Sequence, residues 1–78
     1  MQHNSGPHLT RRERQIAALI AQGRLNREIA TALGISYLTV QDEVHALLQK
    51  LGLRNRTELS SYWWQHFGRD AETGPQNP

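Results

Sequence analysis

Residues 26–51 hold two stretches of helically spaced apolar residues, separated only by Gly34 and Ile35. Ile29, Ala30 and Leu33 put one apolar face on a short helix, and Val40, Val44, Leu47, Leu48 and Leu51 put another on a longer helix. So short a connection turns the chain sharply and makes the two helices share one core, the layout of a helix-turn-helix. In that motif the second helix is the one offered to the DNA major groove. Here the second helix carries Asp42 and Glu43 near its start, where phosphates would lie. The scaffold and its charge point in different directions.

The flanking residues supply two more helices. Leu9-Thr10-Arg11-Arg12-Glu13 combines a capping threonine, a glutamate three residues later and a preceding apolar residue, so a helix is predicted from Arg11 to Gln22 with Gly23 as its stop. Asn26 is the predicted cap of helix two and Gly34 its end. Ser36 is the predicted cap of helix three, which Gly52 ends and Leu53 closes by packing back. Asn55 and Glu58 repeat the cap-plus-three pattern, starting helix four at Arg56 with Leu59, Tyr62, Trp63, His66 and Phe67 along one side. No stretch alternates with the period of a strand. The reading is an all-α, four-helix domain over residues 9–67, with polar segments 1–8 and 68–78 expected to be disordered.

Seventy-eight residues allow one small domain with a small core. Net charge is +2, a mild bias compatible with nucleic acid. Between Leu9 and Phe67 the basic residues Arg11, Arg12, Arg14, Arg24, Arg27, Lys50, Arg54 and Arg56 face only Glu13, Glu28, Asp42, Glu43 and Glu58. The absence of cysteine excludes disulfides and thiolate metal sites. No apolar run approaches the ~20 residues that span a bilayer, and the N-terminus lacks the pattern of a signal peptide, so no membrane role and a cytoplasmic location are expected.

Leu9-Thr10-Arg11-Arg12-Glu13, Gly23, Asn26-Arg27-Glu28-Ile29-Ala30, Leu33-Gly34-Ile35-Ser36, Thr39-Val40, Lys50-Leu51-Gly52-Leu53 and Asn55-Arg56-Thr57-Glu58-Leu59 together resemble the LuxR/FixJ-type (GerE-like) DNA-binding domain. The likeness runs from Leu9 to about Leu59, in spacing as well as composition. It implies four helices, with helices two and three as the helix-turn-helix and helix four as a frequent dimer contact. It also implies a bacterial transcription regulator, commonly joined to a receiver or ligand-sensing domain. No such sensor fits in this length, so the expectation is a free-standing small regulator or an output domain controlled from elsewhere. The chain departs from the family where DNA is touched. The family commonly has Lys or Arg after Thr-Val and His two residues further on, where this chain has Gln41 and Glu43 with Asp42 between them.

The base-facing positions that the resemblance implies are Gln41, Asp42 and His45. Gln41 can pair with adenine N6 and N7, Asp42 can accept from cytosine N4, and His45 can meet a guanine edge. The alternative for all three is an ordinary solvated helix face. For the phosphate backbone the candidates are Arg27, Thr39, Lys50 and Arg54 or Arg56, with Lys50 favoured because the family uses that position on phosphate. The plain alternatives are a solvated helix face for the arginines and a helix C-terminal cation for Lys50. Glu43 is expected to oppose the DNA backbone, so that Glu43→Gln would strengthen binding.

Adjacent helical residues lie ~100° apart, so Trp63 and Trp64 cannot share one core position. Trp63 is expected to pack inward with Leu59 and Phe67. Trp64, with Tyr62 and Phe67, then forms an exposed aromatic surface suited to a homodimer or another protein partner. His3, His8, His45 and His66 lack metal-ligand spacing, and Asp42 with His45 is no more than an exposed acid–imidazole pair, so no enzyme, cofactor or metal site is expected. The reading is a bacterial regulator that binds duplex DNA, as a dimer, through helix three. The alternative is a degenerate helix-turn-helix that binds a protein through aromatic helix four or the acidic start of helix three.

Overall fold

A computed structural model describes residues 8–68. Four helices follow one another: α1 (Arg11–Ala21), α2 (Asn26–Leu33), α3 (Tyr37–Leu51) and α4 (Arg56–His66). Of the disordered tails expected at residues 1–8 and 68–78, residues 1–7 and 69–78 lie outside the described residues. Three of the four helix starts use the predicted caps. Thr10 Oγ1 accepts from the Glu13 amide at 3.1 Å while Glu13 Oε1 accepts from the Thr10 amide at 2.8 Å, a complete capping box. Ser36 Oγ accepts from the Thr39 amide, and Asn55 Oδ1 from the Glu58 amide, each at 3.0 Å.

Helix α2 corrects the sequence reading. Its cap residue is Leu25, and Asn26 is already the first helical residue. Glu28 reaches back to accept from the Leu25 amide at 2.9 Å, and so satisfies one backbone donor without a polar cap side chain. Asn26 is thereby released for a long-range contact: its Oδ1 accepts from Arg56 Nη1 at 2.6 Å.

The first three helices close in the same way. The amides of Arg24, Ile35 and Leu53 donate to the carbonyls of Leu19, Ala30 and Leu48 at 3.1, 3.0 and 2.9 Å, five residues back along the chain. At Gly34 and Gly52 this closure needs φ of 70°, a left-handed conformation that a side chain disfavours. It turns Ile35 and Leu53 back toward the core, where both are partly buried.

The core is formed by Leu9, Ile16, Ala17, Ile20, Ile29, Ala30, Val40, Val44, Leu47 and Leu59. Each fully buried aliphatic side chain contributes about 1.5–3 kcal/mol of transfer free energy. Helix α1 packs chiefly on α4, and α2 on α3, while the direct α1–α3 contact is small. Trp63 and Phe67 pack against the core with ring centroids 4.4 Å apart, as the inward placement of Trp63 requires. Gly68, expected at the start of the C-terminal tail, is buried, and any Cβ there would collide with the Trp64 ring. Among the described residues no helix is long and apolar enough to cross a membrane.

Candidate nucleic-acid interface

Helix α3 buries Val40, Val44 and Leu47 and turns Leu38, Gln41, Asp42 and His45 outward. These four recur at intervals of three and four residues, so they form one continuous stripe. The sequence-derived base-facing trio is therefore brought together on one exposed face. At its leading edge Leu38 is 68% exposed and Tyr37 49% exposed. Gln41 Nε2 donates to the Tyr37 hydroxyl at 3.4 Å, a long bond within the helix's first turns. Thr39 is partly buried beside them, and its hydroxyl accepts from Ser36 Oγ at 2.9 Å.

The opposite flank of α3 is electrostatically different. Glu43 accepts from Arg12 Nη1 through both carboxylate oxygens, at 3.0 and 3.3 Å. Two turns along, Lys50 Nζ donates to Glu13 Oε1 at 2.8 Å. Ala46 lies midway between those two α3 positions, and with Thr10, Arg12, Glu13 and Glu43 it lines a shallow recess under the first turn of α1. Arg12 and Glu13 thus span the small α1–α3 contact with two ion pairs of opposite polarity. The expectation that Glu43 shows DNA an unpaired carboxylate is corrected, because α1 supplies the counter-charge. Partial burial raises the Glu13 pKa, but hydrogen bonds from Lys50 and from the Thr10 amide outweigh it and hold the carboxyl below its ordinary value.

The candidate phosphate contacts divide into engaged and unengaged groups. Lys50 is held by Glu13. The Arg56 guanidinium donates to Asn26 Oδ1 and to the Arg24 carbonyl, both at 2.6 Å, so it ties the start of α4 to the entry of α2. Arg54 reaches Glu58 one turn away, at 3.2 Å. The Arg54 amide also donates to Glu58, and this bond together with the Arg54 charge outweighs the cost of desolvation and lowers the Glu58 pKa. Arg27 is exposed, and its guanidinium engages no side chain among the described residues. It borders a cleft formed by Leu25, Asn26, Tyr37 and Arg56, where the entries of α2, α3 and α4 converge.

On α4, Trp64 is 46% exposed, and Tyr62 stacks on His66 with centroids 4.2 Å apart. Phe67, read from sequence as part of the same surface, is partly buried and stacked on Trp63. Sequence reasoning missed Arg12, Tyr37 and Leu38. Nothing local links Arg12 to Glu43, 31 positions away. Leu38 was legible in principle, because it falls off the buried Val40–Val44–Leu47 stripe and on that of Gln41 and His45.

The sequence profile of "Bacterial regulatory proteins, luxR family" matches residues 7–63. Over 58 residues the chain is 45% identical to the response regulator protein VraR of Staphylococcus aureus, and equally so to the proteins of that name from Staphylococcus saprophyticus and Staphylococcus epidermidis. The aligned segment covers 74% of this chain but 28% of each relative.

Proposed function

We propose a function from the premise that this chain belongs to the luxR family of bacterial regulatory proteins, a DNA-binding, transcription-regulating family of helix-turn-helix type. Helix α3 enters the major groove of duplex DNA with Gln41, Asp42 and His45 toward the bases, while Arg27, Thr39 and Lys50 hold the phosphate backbone. Lys50 reaches phosphate by exchanging its Glu13 partner for a DNA oxygen. Arg56 acts mainly by fixing the α2 entry beside the backbone, through Asn26 and the Arg24 carbonyl.

The observation that carries this reading is the Arg12–Glu43 pair. It neutralises the acid that stands where the family commonly has histidine. Asp42 is then the one acid on the groove-facing stripe. Such a surface can approach phosphates, and the net positive balance of the domain supplies the attraction. The chain acts as a dimer through the exposed α4 surface around Tyr62 and Trp64, and with chromosomal DNA as its target it works in the bacterial cytoplasm. The chain spans about a quarter of the length of the curated relatives it matches.

Exposed Trp64 favours a second reading, in which the scaffold serves a protein partner. Fluorescence anisotropy against random duplex at about 50 and 200 mM salt separates the two. For three neutralised phosphates, DNA affinity should fall roughly 40-fold between those salts. No binding at either salt, with helicity intact by circular dichroism, would favour the protein partner.

A further inference from the structure

The two most conspicuous apolar side chains at the groove end of α3 take no part in the core. Leu38 is 68% exposed and Tyr37 49%, directly after the Ser36 cap. We propose that Leu38 and Gln41 together read neighbouring A·T pairs, with Tyr37 as a positioning residue for the Gln41 amide. This rests on the DNA-binding reading above and names the sequence class that the site prefers.

Residues three apart on a helix share a face and are separated by roughly 4.5 Å along its axis, comparable with the ~3.4 Å between stacked base pairs. Leu38 and Gln41 therefore address adjacent base pairs from the N-terminal turns, the part of a recognition helix that meets base edges. In the major groove the thymine C5-methyl is the one apolar group a base presents. A leucine laid on it excludes water from both. Against any other base edge the same leucine strips water from donors or acceptors without replacing their hydrogen bonds.

Gln41 carries the complementary half. Its Nε2 has two hydrogens, and the Tyr37 hydroxyl accepts one of them. The other hydrogen and Oε1 remain side by side, as adenine N7 and N6 require. Guanine would set its O6 acceptor against Oε1 and be rejected. Tyr37 lines the cleft with Leu25, Asn26, Arg27 and Arg56, so its ring has a surface to rest on while its hydroxyl orients the amide.

The test uses the whole chain. Duplexes are selected from a randomised pool, and each thymine in the selected site is replaced singly by deoxyuridine, which removes only the methyl group. At one thymine the native chain should lose about fourfold in affinity, the worth of one buried methyl, while Leu38→Ala should lose nothing on the same replacement. Equal losses for both proteins, or a selected site with no methyl-dependent thymine, overturn the Leu38 assignment and leave DNA binding standing. Tyr37→Phe should narrow the adenine-over-guanine preference at the adjacent pair several-fold, and an unchanged preference overturns the positioning role. A pool from which no duplex is retained at low salt overturns the proposed function and this inference together.

Discussion

The two flanks of helix α3 lie on one element and carry adjacent acids, yet one flank is charge-paired and the other is not. On one flank Glu43 and Lys50 are each matched by a residue of α1, at 3.0 and 2.8 Å, with small Ala46 between them. On the other, Leu38, Gln41, Asp42 and His45 are exposed, and Asp42 pairs with no cation among the described residues. The charge of a recognition helix therefore cannot be summed along its own sequence. A carboxylate matters to DNA according to whether another helix has already answered it, and for Glu43 the answer comes from the first turn of α1.

The comparison breaks most severely on Arg12→Glu. Two acids then face each other where a pair stood, and DNA affinity at about 50 mM salt should drop roughly tenfold or more in anisotropy titrations. The swap Arg12→Glu with Glu43→Arg should recover most of that loss. If the single change has no effect, Arg12 does not screen Glu43. Next in size, Asp42→Asn should raise affinity several-fold, more than Glu43→Gln does, because the second acid already has a partner. A larger gain from Glu43→Gln would reverse the assignment of the flanks.

Effects on stability centre on the cap of α1. Glu13→Ala removes the return half of the capping box and the Lys50 pair, and should cost about 1–2 kcal/mol by denaturant unfolding at neutral pH. The Glu13 pKa is lowered in the fold, so its contribution is complete above the ordinary value of 4.5 and fades as pH falls through the lower folded value. The difference between native chain and variant should therefore shrink in acid. Trp64→Ala should keep the four helices by circular dichroism, with some loss of packing on Gly68, and should lose self-association in sedimentation velocity.

The buried side of the molecule was legible because helical periodicity and cap chemistry are local. Val40, Val44 and Leu47 repeat on one face, and Thr10–Glu13, Ser36–Thr39 and Asn55–Glu58 each act within one turn. Asn26 misled because its residue type suits a cap, whereas its oxygen is taken by Arg56, 30 positions on. The exposed stripe was legible as a set of positions but not as an environment. Arg12–Glu43, Glu13–Lys50 and Arg56–Asn26 all join residues 30 or more apart, and no spacing rule pairs them. Gly68 differs, because it fits against the Trp64 ring only four residues back, and a glycine next to polar residues gives no sign of that fit.

DNA recognition by α3 is tested by a nitrogen-15 chemical-shift titration of the whole chain with the selected duplex at low salt. The largest changes should fall at the amides of Leu38, Asp42 and His45 and at the Gln41 side-chain amide, with Tyr62 and Trp64 little moved by DNA itself. Changes centred on α4, or none on α3, would contradict the claim that the unpartnered flank of α3 is the surface that meets DNA.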